Sequence, residues 1–350
     1  MSDRHDKTIS FRSQLSGDIS DFLKDEGFEC AATYSAMTAI VSDLSHYKEE
    51  GTTLSPEIYL CNDIGQVVQL VPGCSFIRIG EGAQNDETAL RAMKECAPLA
   101  KNAWSIFIER KDKCFRYGVF AARDFPMSVT VSEVLIDSGE NTIPAVMVSK
   151  VADNCVEARG AKGNRRCIHF SSAREDSPSP REAIAALTKG ITIGVCRDYG
   201  AQAERFLYLT LLSVFQESHG ALVAVLGKRR RVLPKRISDA IRIEQPVDVS
   251  APVRQYLRSK DHEAVAELQR IASLIEGMLQ SDGVTVFRAD ASVLAYRAFL
   301  RHWSQKGSAR HGGARMRTFE GLKELVDRGD MEGAFIRSQD GYTEYYGRTH

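Results

Sequence analysis

Residues 221–227 read "ALVAVLG", six apolar residues in a row closed by a glycine. A run of strand length without polar alternation predicts a strand covered on both faces. Working outward, apolar residues recur at helical spacing from "REAIAALTKG" (181–190) through "ERFLYLTLLSVFQESHG" (204–220), which predicts one long helix with Gly220 at its C-terminal end. Downstream, "KRRRVLPKR" (228–236) is a basic turn whose plain reading is solvated surface. A second helix is expected in "HEAVAELQRIASLIEGML" (262–279). In "SDGVTVFRADASVLAYRAFL" (281–300) two apolar strands flank "RADAS", with the Asp-Gly pair at a strand start. A glycine-rich turn, a helix ("FEGLKELVDRG", 319–329) and a last hairpin in "GAFIRSQDGYTEYY" (333–346) complete this half.

The other half lies before "SSAREDSPSPR" (171–181), whose serine, proline and charge read as a linker or long loop. Helical patterning at "ISDFLKDEGF" (19–28) is followed by extended stretches at "EIYLCND" (57–63) and "GQVVQLV" (65–71). A short helix is expected in "LRAMKECAPLAK" (90–101). A hairpin is expected in "AWSIFIERKDKCFRYGVFAA" (103–122), and further strands at "IPAVMVSKV", "CVEARG" and "RRCIHFS". The fold class is therefore α+β (mixed α/β), with an N-terminal α+β domain over residues 1–175 and a second domain over 181–350. In the first domain "RGAKGNRR" (159–166) sets four basic side chains on glycine turns; it is read as a phosphate cradle or, more plainly, as a solvated hairpin tip.

Composition narrows the function. The 350 residues are 43% hydrophobic and 26% charged, with 46 acidic and 46 basic side chains, so the formal net charge is zero. Proteins of bulk nucleic acid or anionic membranes usually carry excess positive charge, so neither is expected as a partner, and anion binding must come from local clusters. No apolar run approaches the roughly 20 residues that span a bilayer. The start, "MSDRHDKTIS", lacks the apolar core of a signal peptide. Eight cysteines with no CxxC pair fit a reduced, cytoplasmic setting, each thiol serving as a small buried hydrophobe.

Chemistry concentrates near the C-terminus, in "GGARMRT" (312–318). A glycine turn ahead of a helix presents unpaired N–H groups and the positive end of the helix dipole. Arg315 and Arg317 add planar multi-donor forks suited to phosphate, with Gly313 in the turn and Thr318 as a cap or hydroxyl donor. Asp282, in "SDGV", is a carboxylate at a strand start, able to hold Mg²⁺ and to take a proton from a sugar hydroxyl; the plainer reading is a turn aspartate bonded to its own backbone. Ser338, in "IRSQDG", either contacts phosphate or starts the last hairpin.

In this order the blocks "SHGALVAVL", "SDGVTVF", "GGARMRTFEGL" and "FIRSQDG" resemble those of the diadenylate cyclase domain. That family has a Gly-Ala-Leu strand, an Asp-Gly-Ala turn, a Gly-Thr-Arg-His-Arg turn and a late Ser-Glu pair. The likeness covers roughly residues 181–350, and the N-terminal region is similar to the sensor-like domains appended to some of these enzymes. The resemblance implies a mixed β-sheet flanked by helices and a nucleotidyltransferase that joins two nucleoside triphosphates through a 3′–5′ phosphodiester. Asp282 would be the catalytic carboxylate and ligand of Mg²⁺ or Mn²⁺. Gly283, Gly313, Arg315, Arg317, Thr318 and Ser338 would hold the nucleotide. Two subunits would meet face to face, in a homodimer or a larger even-numbered assembly, and an effector protein would respond to the dinucleotide signal. This chain departs from the family at Ser281, Val284, Met316 and Gln339. Product identity, cyclic or linear, does not follow, and a catalytically silent nucleotide sensor is the alternative reading.

Overall fold

The computed structural model describes residues 11–49, 52–71, 73–100, 103–121, 127–138, 143–152, 154–170, 179–217, 220–301, 313–338 and 341–348. The chain forms two compact units. The first comprises residues 1–124, 128–150 and 154–172, and the second residues 125–127, 151–153 and 173–350. Both are mixed α/β.

The first unit opens with helices α1 (Phe11–Asp25) and α2 (Ala31–Leu44) and a short ladder of β1 (Lys48–Glu49) and β2 (Thr52–Thr53). Its main elements are β3 (Ile58–Cys61), α3 (Ile64–Gln69), β4 (Phe76–Ala83), α4 (Asp86–Cys96), β5 (Trp104–Lys111) and β6 (Cys114–Ala121), then β7 (Ala145–Ala152), β8 (Cys155–Gly160) and β9 (Arg165–His169). A single π-helical turn spans Glu133–Asp137. The strands form one sheet in the order β4-β6-β5-β3-β7-β8-β9, with β3 and β5 parallel. One face packs against α1, α2 and α4 through residues such as Ile19, Ile40 and Met93, and the other against α3 and the π turn through Tyr59, Phe107 and Phe120. The segment read as extended at 65–71 is helical as far as Gln69. Asp63 caps α3 by accepting the Gln66 N–H at 3.3 Å, and Ile64 and Val67, three apart, face the core. The β-branched run imitates a strand, but the cap decides.

The second unit consists of α5 (Pro180–Thr192), α6 (Arg197–Glu217), β10 (Ala221–Leu226), β11 (Ile237–Ser238), β12 (Ile241–Asp248), α7 (Ser250–Ser259), α8 (His262–Gln280), β13 (Val284–Arg288), β14 (Ser292–Leu300), α9 (Ala314–Asp327), β15 (Gly333–Arg337) and β16 (Thr343–Gly347). Six strands run in the order β11-β14-β13-β10-β15-β16, and β12 also pairs with β14. Only β10 and β13 are parallel among these pairings. Every residue of β10 is buried, and the pleat divides them. Val223 and Val225 enter the core under α5, α6, α7 and α8; Leu222, Ala224 and Leu226 enter the core under α9. The apolar run at 221–226 is thus a central strand with helices on both faces.

Two further readings change. The long helix expected over 181–220 is two helices broken at residues 193–196. The break is held by tertiary bonds: the Gly194 N–H donates to the Ala289 carbonyl at 2.6 Å, and Lys228 Nζ donates to the Gly194 carbonyl at 2.6 Å. Helix α7 had no counterpart in the sequence reading. Asp248 starts it, its carboxylate accepting both the N–H and the hydroxyl of Ser250 at 2.9 and 2.6 Å.

Candidate functional site

Strand register brings the separate motifs together. In the parallel pair β10–β13, Leu222 lies opposite Val284, so the preceding residues Gly220 and Asp282 come level at the same end of the sheet. In the antiparallel pair β10–β15, Ala221 lies opposite Arg337, which puts Ser338 on the other flank of Gly220. Adjacent strands are about 4.8 Å apart, so Ser338, Gly220 and Asp282 form one row across the sheet edge.

Helix α9 reaches that row through Arg315. Gly220 has φ +131, and a Cβ placed on it would lie 2.9 Å from Arg315 Nη1 and 3.1 Å from its Cζ. The same Cβ would also sit 2.9 Å from the Arg337 carbonyl oxygen. The guanidinium therefore rests on the bare Cα of Gly220, in space that any other residue would fill. Gly283 is a second required glycine: its φ is +96, and a Cβ there would meet the Ala298 carbonyl oxygen at 2.8 Å. This close approach coincides with a register shift between β13 and β14, where Arg297 adopts φ 50. Arg297 is exposed beside the Asp-Gly turn, and no motif in the sequence singled it out.

The remaining residues differ in how committed they are. Asp282 is exposed, and its Oδ1 accepts the Gly283 N–H at 2.9 Å, the turn-aspartate arrangement; Oδ2 has no protein hydrogen bond among the described residues. The turn is pinned from behind, where the hydroxyls of Ser281 and Thr285 both donate to the Met278 carbonyl at 2.6 and 3.1 Å. Gly313 caps α9 from exposed, extended backbone with no side-chain cap. The N–H of Arg317 is the first in the helix to close a turn, onto the Gly313 carbonyl at 3.2 Å, so those of residues 314–316 lack intrahelical acceptors. Arg317 is exposed, and its guanidinium has no hydrogen bond or ion pair among the described residues. Met316 packs on the core beneath α9. Thr318 is not a cap: its hydroxyl donates back to the Ala314 carbonyl at 3.1 Å, inside the helix. The Ser338 hydroxyl accepts the Tyr342 N–H at 3.0 Å and so closes the β15–β16 hairpin. His219, Gly312 and Gln339 lie outside the described residues.

The described residues contain no group of three or more His, Cys, Asp or Glu side chains placed to share a metal ion. A single carboxylate at the row fits a different kind of site. Mg²⁺ commonly takes one or two carboxylates, with substrate phosphate oxygens and water completing its shell. The donor set here suits an ion that arrives with a polyphosphate.

The basic segment of the first unit is committed to the fold. In "RGAKGNRR" the loop already holds an anion, the carboxylate of buried Glu26. It accepts the Lys162 N–H at 3.0 Å and the Asn164 side-chain amide at 2.8 Å. Arg159 pairs with Asp137, and Arg165 with Glu157 at 2.5 Å. The cysteines are not uniformly buried: Cys61, Cys96 and Cys155 are, but Cys196 is exposed. Burial drives the Cys61 thiol well above its ordinary value and pushes Cys96 up to about 12. Among the described residues no helix is long and apolar enough to cross a membrane. No protein-family model matches this chain, and no curated protein is detectably similar to it in sequence.

Proposed function

We propose that the second unit is a diadenylate-cyclase-like nucleotidyltransferase that joins two nucleoside triphosphates through a 3′–5′ phosphodiester and releases pyrophosphate. The observation that carries this reading is the meeting of Asp282, Gly220, Ser338 and Arg315 at one end of the sheet. A carboxylate, a fixed guanidinium and a helix N-terminus at one edge suit a triphosphate beside a sugar hydroxyl. Arg315 and Arg317 hold the phosphates, with the N–H groups of the first turn of α9 beside them. Asp282 receives the proton of the attacking 3′-hydroxyl. The new bond joins that oxygen to the α-phosphorus of the second nucleotide, and the bond from the α-phosphorus to the bridging oxygen breaks as pyrophosphate leaves. Asp282 would hold Mg²⁺ or Mn²⁺, which would supply charge neutralisation at the phosphates. One such row binds one nucleotide, so bond formation needs two subunits in a face-to-face homodimer or larger even-numbered assembly. A cytoplasmic setting and an effector protein that responds to the cyclic or linear product complete the reading.

Two features favour a second reading, a silent nucleotide sensor. Asp282 already bonds its own turn, and Ser338 already closes a hairpin. Asp282→Asn separates the two. For an enzyme it abolishes dinucleotide formation while triphosphate binding persists. If wild type and variant bind triphosphate alike and neither turns it over, the sensor reading stands.

A further inference from the structure

The zero net charge of the chain hides a local excess at the opposite end of β10 from Gly220. We infer that the loop between β10 and β11 is a docking surface for an anionic lipid bilayer. The loop is pinned from several sides. Leu233 packs on the core beneath α9 and Pro234 is buried. Lys228 Nζ donates to the Gly194 carbonyl at 2.6 Å, Arg230 pairs with Asp330 at 3.1 Å, and Arg236 pairs with Glu324 at 3.0 Å. These contacts leave Arg229, Arg231 and Lys235 outside the network. All three are exposed, and among the described residues none has a hydrogen bond or ion pair. Between them stands Val232, 66% exposed, the most exposed of the large hydrophobic residues in the described structure.

An apolar tip ringed by unpaired cations, on a backbone fixed before binding, matches the boundary of a bilayer, where phosphate headgroups overlie hydrocarbon. Because the loop is already ordered, little further ordering opposes its docking. A single-stranded nucleic-acid surface with these charges would be expected to interleave aromatic side chains for stacking, and "KRRRVLPKR" has none, while phosphate contacts to a duplex would give the exposed Val232 no apolar partner. The observations therefore favour lipid. This surface is independent of the nucleotide row, which lies at the other end of the same strand.

The test is co-sedimentation of the full chain with vesicles of phosphatidylcholine alone, or of phosphatidylcholine mixed with phosphatidylserine. The expected result is partitioning onto the mixed vesicles only, weakening as salt rises. Each basic side chain at an anionic bilayer is worth roughly fivefold, so Arg229→Ala with Arg231→Ala should lower the partition constant about twenty-five-fold. Val232→Ser keeps every charge and should still lower it by up to about fivefold. All three positions are exposed, so thermal melting should match wild type. The inference fails if mixed vesicles capture no protein at low salt, or if the double variant partitions like wild type. It also fails if Val232→Ser changes nothing while a DNA duplex strips the protein from vesicles, which would make the loop a nucleic-acid surface.

Discussion

Replacing Gly220 by alanine should disturb both the fold and the nucleotide row, through one methyl group. At φ +131 an L-residue is strained by about 1–3 kcal/mol. The added Cβ would also stand 2.9 Å from the Arg337 carbonyl oxygen, which is backbone of a central strand and yields little. Together these should cost about 2–4 kcal/mol, or a drop of about 5–15 °C in melting temperature for a unit of this size. The methyl also displaces the Arg315 guanidinium, whose nearest atom lies 2.9 Å away. A lost charge-assisted contact is worth about 1.5–3 kcal/mol, so triphosphate affinity should fall roughly ten- to a hundredfold. Differential scanning calorimetry and calorimetric titration with ATP read the two effects separately. A double-mutant cycle with Arg315→Ala isolates the link: once the guanidinium is gone, Gly220→Ala should cost no further affinity. If Gly220→Ala binds ATP like wild type while Arg315→Ala does not, Gly220 does not position the arginine. If neither variant loses affinity, the phosphate assignment itself is wrong.

Other outcomes follow from the same structure. Arg317→Ala should weaken triphosphate binding roughly ten- to a hundredfold without lowering the melting temperature, because its side chain bonds nothing else among the described residues; a loss of stability with unchanged affinity would contradict this. Glu26→Ala should destabilise the first unit by about 2–4 kcal/mol and speed hydrogen exchange at the Lys162 amide, since that N–H loses its buried acceptor. Cys30 should be alkylated at lower pH than an ordinary thiol. Burial raises its pKa, but the N–H groups of Thr33 and Ala32, the Thr33 hydroxyl and the Arg110 charge outweigh that and lower it. Arg110→Ala should move the alkylation midpoint upward, and no movement would remove Arg110 from the explanation.

Legibility in the sequence followed the range of the forces involved. Strand β10 was readable because six consecutive apolar residues admit little but a strand buried on both faces. The hairpin over 103–122 was readable from its charged turn, where Asp112 and Lys113 both adopt positive φ. Segment 65–71 misled because its valines have strand propensity, whereas the Asp63 cap that makes it helical is a single side-chain bond. The break between α5 and α6 was hidden because its bonds come from Ala289 and Lys228, far along the chain. At the candidate site, the arginine turn and the Asp-Gly turn were visible as local patterns. The packing of Arg315 on Gly220 and the approach of Ala298 to Gly283 were not, because both depend on which strands neighbour β10 and β13. The back-bonding of Thr318 was likewise hidden, since a hydroxyl's nearest acceptor is set by local geometry and not by residue type, whereas the hairpin role of Ser338 was one of the two readings its position offered.

The central claim is tested most directly by the mass of what the full chain makes. Purified protein would be incubated with each ribonucleoside triphosphate and Mg²⁺ or Mn²⁺, alongside the corresponding 3′-deoxynucleotides. A dinucleotide from at least one ribonucleotide, with pyrophosphate released, none from its 3′-deoxy counterpart and none from Asp282→Asn, is the predicted result. Unchanged triphosphates in every wild-type reaction, or the same product from the 3′-deoxy nucleotide, would contradict it.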